Sequence, residues 1–129
     1  GIASGPVIWA AAGGRERVVN MPPILTDPLI EAVVGQLKIN PRGIHGLSHW
    51  ARVHANGLRL ARANGADTEV VELFALFHDS GRINENADVE HGPRGAMVAQ
   101  QFHGRLFPLD AEKLELLLTA CRLHTTARP

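Results

Sequence analysis

The chain has 129 residues, 45% of them hydrophobic and 20% charged, which is enough for one domain with a real core and typical of a globular protein. Lys plus Arg and Asp plus Glu balance at 13 each, so bulk charge points to neither nucleic acid nor an anionic membrane surface. A single cysteine, Cys121, excludes an internal disulfide framework, and no apolar run reaches the roughly 18 residues of a membrane span. The lone thiol fits a reducing compartment, so a cytoplasmic location is expected.

Gly1 is not an initiator residue, and residues 2–12 are apolar with no Lys or Arg before them, unlike an export signal. Met21 is a candidate natural start. Residues 1–25 are therefore read as an extension that need not be ordered, ahead of a helical domain over 26–129. Thr26 is a candidate cap for a first helix, with Asp27 and Pro28 in its opening turn and Leu29, Ile30, Val33, Val34 and Leu37 as its apolar stripe. Asn40-Pro41-Arg42-Gly43 ends it. Beyond a loop containing His45-Gly46, Ser48 is a candidate cap for a second helix running through Asn64. Its apolar set is Trp50, Val53, Gly57, Leu58, Leu60 and Ala61, and Gly65 is a natural stop.

Asp67 or Thr68 opens a third helix, whose residues 70–77 are apolar nearly all round and belong at the centre of a domain. Residues 80–90 form a polar loop. Pro93 suits the first turn of a fourth helix that reaches roughly His103. Asp110 caps a fifth, with Leu114, Leu117, Leu118, Cys121 and Leu123 facing inward. Strand-type alternation is absent. These elements predict an all-α, compact bundle of about five helices.

The third helix ends on His78-Asp79, followed at once by Ser80-Gly81. Imidazole and carboxylate are both costly to bury unless paired or bound to a metal. Successive helical residues diverge by about 100°, but a final turn with Gly81 lets both side chains converge on one ion. With His49 upstream and His91 and His124 downstream, the inventory is that of a divalent-metal site. Imidazole with carboxylate suits Fe, Mn, Zn, Ni or Co, with Mg as a further candidate. The plain reading of the dipeptide is a capping histidine beside a solvated aspartate. Cys121 lies among leucines and reads as a small buried hydrophobe rather than a catalytic thiol.

Four blocks carry a resemblance. They are His45-Gly46-Leu47-Ser48-His49-Trp50-Ala51-Arg52-Val53, Leu76-Phe77-His78-Asp79-Ser80-Gly81-Arg82, His91-Gly92-Pro93-Arg94, and Ala120-Cys121-Arg122-Leu123-His124-Thr125. In this order, over residues 44–125, they resemble the HD superfamily of metal-dependent phosphohydrolases, and a bacterial subgroup in particular. The resemblance implies an all-helical fold, a metal held by His49, His78 and Asp79, and hydrolysis of a phosphomonoester or nucleotide by a metal-activated water. His91 and His124 fall where two-metal members place further ligands. One departure is that the family closes its site with a later aspartate, whereas this sequence has no Asp beyond Asp110. Asp110 reads better as a cap than as that ligand. An incomplete domain with weak metal affinity is therefore expected, and a module that binds metal or nucleotide without turnover is the alternative to an enzyme.

The other candidates are weaker. His45 precedes His49 by four residues, a spacing that can form a two-histidine face, but Gly46 disfavours helix there. His54 is expected on the surface, and His103 reads as a helix-terminus histidine favoured by the dipole. Arg82 is a candidate for holding a substrate phosphate, with a solvated loop arginine as the alternative. Asn84, Asn86 and Asp88 alternate like a calcium loop, but the glycine and distal glutamate that motif requires do not follow. A helical interaction or nucleic-acid-binding domain with incidental histidines is disfavoured by the neutral charge and the absence of a basic recognition helix. Leucines of the 114–123 segment left uncovered would favour self-association, most simply as a two-fold homodimer.

Overall fold

A computed structural model describes residues 23–85 and 88–124. Five helices follow one another: α1 (Asp27–Gly35), α2 (Leu47–Asn64), α3 (Thr68–Phe77), α4 (His91–Phe102) and α5 (Ala111–Leu123). Among the described residues the only strand-like pairing is an isolated bridge between His103 and Phe107. The expectations for residues 1–22 lie outside the described residues. Ile24 and Leu25 are already buried in the core.

Three helices start as their sequences dictate. The side chains of Thr26, Asp67 and Asp110 accept hydrogen bonds from the backbone N–H groups of Leu29, Val70 and Lys113 at 3.3, 3.1 and 2.9 Å, satisfying donors that a helix start leaves orphaned. Asp110 is thus a cap. The second helix departs from expectation. Its cap is Gly46, with no side-chain cap bond, and Ser48 already lies inside the first turn. The Leu47 N–H instead donates to the Pro41 carbonyl at 2.7 Å, so the 40–46 loop closes this end with its own backbone. Gly65 ends α2 in the left-handed region, at φ 79°. The first helix stops at Gly35, short of the expected Asn40-Pro41, and Leu37 packs on the core from beyond the helix end.

α3 is the hub, packed against α1, α2, α4 and α5. Leu73, Ala75, Leu76 and Phe77 are fully buried, as its all-round apolar character requires. Two residues placed inward by sequence prove exposed, Leu60 at 64% and Leu123 at 54%. Leu116, at 56%, shares the outer surface of α5 with Leu123. The buried face of α2 instead runs through Trp50, His54, Leu58 and Ala61, a spacing of four, four and three residues that leaves Leu60 outside it.

His54 therefore overturns its expected surface position. It is 1% exposed, and its Nε2 lies 2.9 Å from Oε2 of Glu72, which is itself 2% exposed. This pair ties the middle of α2 to the middle of α3. A carboxylate inside the apolar run of α3 needs a partner, and His54 supplies it. Removing one partner of such a pair typically costs about 3–5 kcal/mol. His54→Ala should therefore lower the thermal midpoint far more than Leu60→Ala, as read by circular dichroism. Equal shifts would show that the pair adds nothing to the α2–α3 interface.

Candidate metal centre

The end of α3 is placed by backbone contact with α4. A Cβ on Gly95 would lie 2.5 Å from the Phe77 carbonyl oxygen, and one on Gly81 would lie 2.5 Å from Cβ of Arg94. Only glycines permit this approach. The chain leaves α3 through tight turns, with Ser80 N–H donating to the Phe77 carbonyl and Arg82 N–H to that of Asp79. The turn swings Asp79 round beside His78, so neighbouring residues that an unbroken helix would splay apart share one target.

His49, in the first turn of α2, reaches that target from the facing helix. Its Nε2 is 3.1 Å from His78 Nε2 and 3.1 Å from Asp79 Oδ2, and His78 Nε2 is 3.2 Å from the same oxygen. Metal–ligand bonds of about 2.0–2.2 Å put two ligands about 3.0 Å apart at a right angle and about 3.4 Å apart at the tetrahedral angle. The triangle falls within that range. The expected convergence of His49, His78 and Asp79 is therefore observed.

The second oxygen of Asp79 serves a second group. Asp79 Oδ1 lies 3.2 Å from His91 Nε2 and 3.7 Å from His124 Nε2, and the two imidazole nitrogens are 2.6 Å apart. His91 is the first residue of α4 and His124 the C-cap of α5. Two three-residue groups with metal-binding geometry thus meet at one carboxylate, one formed by His49, His78 and Asp79 and the other by Asp79, His91 and His124. The second triangle is less regular than the first.

The tautomers fit a cation. His78 Nδ1 faces the carbonyls of Phe74 and Ala75 at 3.1 and 3.0 Å, and His91 Nδ1 faces that of Asp88 at 2.5 Å. Carbonyls only accept, so each Nδ1 carries the proton and a neutral ring turns an Nε2 lone pair inward. Lone pairs on His78 Nε2, His49 Nε2 and Asp79 Oδ2 repel one another unless a proton or a metal cation lies among them. The donor set is rich in imidazole, which favours Fe, Mn, Zn, Ni or Co over Mg.

Asp79 is 1% exposed. Burial on its own pushes its carboxyl upward, but the contacts of His124, His49 and His78 outweigh this and hold it far below the usual carboxylate range. The ionised form is thus favoured. Burial depresses His91, an effect reinforced by Arg82 and opposed by the Asp88 carbonyl and Asp79, which favours the neutral ring that can ligate. Cys121 is excluded from the chemistry, since burial pushes its thiol up to about 12.

Arg82 is neither a solvated loop residue nor remote from the centre. It is 8% exposed, and its Nε donates to Asp79 Oδ1 at 3.2 Å. This bond orients the shared carboxylate. His45 stays outside both groups, because its Nδ1 is held by Glu85 Oε1 at 2.8 Å. His103 closes the loop after α4, its Nε2 lying 2.9 Å from the Leu109 carbonyl. Asp88 accepts from Ile83 N–H and pairs with Arg94; Asn86 lies outside the described residues. Asp88 and Glu85 are supports that sequence reasoning missed. Their only signal was acidic residues in a loop flanked by candidate ligands.

Among the described residues, an all-helical fold brings four histidines and one aspartate together in two groups that could hold a metal ion. Residues 46–129 match the family model for the HD domain, which spans well over half of the chain, and the protein belongs to that family. Comparison with curated proteins gave no match, and neither did comparison with solved structures.

Two predictions follow from the geometry. His78→Ala and Asp79→Ala should each abolish stoichiometric metal in elemental analysis while leaving helical content largely intact, because the ligands sit at a helix end and not within the Leu73–Phe77 core. Unchanged metal content in both would make the dipeptide purely structural. The second concerns pH. Depression of His91 in the fold means that the unfolded chain binds its proton more readily. Its contribution to stability is then fully present above the unfolded value of about 6.5 and is lost as pH falls below it. Chelator-treated protein should melt lower at pH 5.5 than at pH 7.5, and His91→Gln should narrow that gap.

Proposed function

We propose that the protein is a metal-dependent phosphohydrolase acting on a phosphomonoester or nucleotide. The observation that carries this reading is Asp79, whose two oxygens face two separate histidine pairs. Bound there, a divalent ion lowers the pKa of a water ligand toward neutrality and offsets negative charge on a phosphoryl oxygen. His49, His78 and Asp79 would hold it, and His91 and His124 would hold a second ion or the charge of the substrate. The residues themselves do the positioning. The carbonyls of Phe74, Ala75 and Asp88 lock the tautomers of His78 and His91, and Arg82 fixes the rotation of the Asp79 carboxylate. Fractional exposure of the side chains is greatest at His49 and His124, at 28% and 24% against 2% for Asp79, so substrate would enter between α2 and α5. The lone buried thiol supports a cytoplasmic setting.

A second reading has its own observation. Asp79 is the only carboxylate in the two groups among the described residues. Two dications beside one carboxylate and the Arg82 guanidinium leave a large excess of positive charge, which favours one ion per chain and suits a module that binds a phosphate without turning it over.

Phosphate release from a panel of aryl phosphates and nucleotides, with Mn, Fe, Co, Ni, Zn and Mg added in turn, separates the two. The enzyme reading expects metal-dependent release that falls by at least about 100-fold in Asp79→Ala, the scale expected when the group that orders a catalytic centre is lost. Metal-loaded protein that binds phosphate but releases none from any substrate would establish the binding module.

A further inference from the structure

Next to the metal centre is an apolar cavity of about 510 Å³ that the reaction above does not use. It occupies the crevice between α2 and α3, from the turn at Asn64 and Ala66 to Phe74, with Ala120 of α5 on its wall. Helical register joins it to the ligands. Val53 lies one turn after His49, Phe74 one turn before His78, and Ala120 one turn before His124, and residues four apart share a helix face. Phe74 is the common wall. Its ring stacks on His78 with centroids 5.1 Å apart and meets His124 edge-on at 5.9 Å.

The lining carries no charge, and Asn56 and Asn64 are its only polar side chains. Val53, Leu60, Val70 and Val71 supply aliphatic surface, and Leu60 stands 64% exposed. A concave, mostly apolar space of this size with few polar groups is what small-molecule sites offer. A second cavity, of about 370 Å³, is lined by Gln36, Lys38, Arg82 and Arg94. Its lining mixes these groups with Ile83, Met97 and Val98, and its guanidinium groups already engage Asp79 and Asp88, so it offers an apolar ligand less hydrocarbon surface than the groove between α2 and α3.

We propose that the substrate is a phosphomonoester of an apolar alcohol, its alkyl or aryl body lying along this groove while its phosphate sits among His49, His78, Asp79, His91 and His124. This rests on the phosphohydrolase reading and narrows its substrate class. A nucleoside would bring a ribose and base edges that two amides cannot satisfy, whereas a hydrocarbon chain needs no partner beyond the walls.

The experiment uses the full chain loaded with Mn²⁺ and a series of alkylphosphonates from methyl to octyl, which cannot be hydrolysed, with affinity read by calorimetry. Burying each methylene should tighten binding about two- to fourfold, so octylphosphonate should bind on the order of 100-fold or more tighter than methylphosphonate. Leu60→Asn, at an exposed position outside the core, should bring the octyl-to-methyl ratio toward one, and Val53→Ala, which trims a half-buried wall that also packs on the core, should lower it without the cost of burying an amide. Equal affinity across the series overturns the groove proposal. If methyl phosphate is then still hydrolysed, the phosphohydrolase reading stands alone. A chain-length preference without hydrolysis of octyl phosphate upholds the groove and removes the catalysis. Flat affinity together with a dimer in light scattering that Leu60→Asn dissociates would assign the groove to a second copy of this chain, and would likewise overturn the proposal.

Discussion

The structure depends on a buried carboxylate that has to remain charged. Asp79 is almost inaccessible, yet the imidazoles around it keep it ionised. An isolated carboxylate in such a place would neutralise or unfold its surroundings. Here both oxygens are spoken for, Oδ2 by His49 and His78 and Oδ1 by Arg82 and His91, with His124 a little further away. A proton or a cation shared among these donors would supply the positive charge that the cluster calls for.

The fold serves this requirement. Apart from Glu72, α3 is apolar nearly all round over residues 70–77, so its C-terminal end is carried into the interior with it. The helices packed on it then bring one imidazole each, His49 from α2, His91 from α4 and His124 from α5. Glycines at 81 and 95 let α4 press its backbone onto the end of α3, and the His54–Glu72 pair holds α2 in register with α3. Phe74 stacks on His78 from the groove side, so the same helix presents a ligand set at its end and an apolar wall one turn earlier.

Much of this was legible in the residues, for identifiable reasons. Thr26, Asp67 and Asp110 mark helix starts because a short polar side chain can reach a free N–H. The apolar run over 70–77 places α3 at the centre. His78 and Asp79 stand out because adjacent polar groups at the end of such a run need a partner. What escaped depends on two elements at once. His54 lies on the same stripe as Trp50 and Leu58, but only its pairing with Glu72 makes burial possible. The cap of α2 comes from a loop backbone, which leaves no side-chain signature at Ser48. Leu60 and Leu123 are apolar yet exposed, since helical spacing identifies a face but not what covers it. His91 and His124 were implied by family resemblance; their approach across 33 residues of chain reflects how α4 and α5 pack.

The central claim is that imidazoles from different helices, with Asp79, bind one divalent ion. X-ray absorption at the metal edge of protein loaded with a single equivalent of Mn or Zn, free of any histidine tag, tests it most directly. The account predicts a first shell of nitrogen and oxygen at about 2.0–2.2 Å with the outer-shell scattering of at least two imidazole rings, lost in His78→Ala. A shell of oxygen alone, without imidazole scattering, would contradict it.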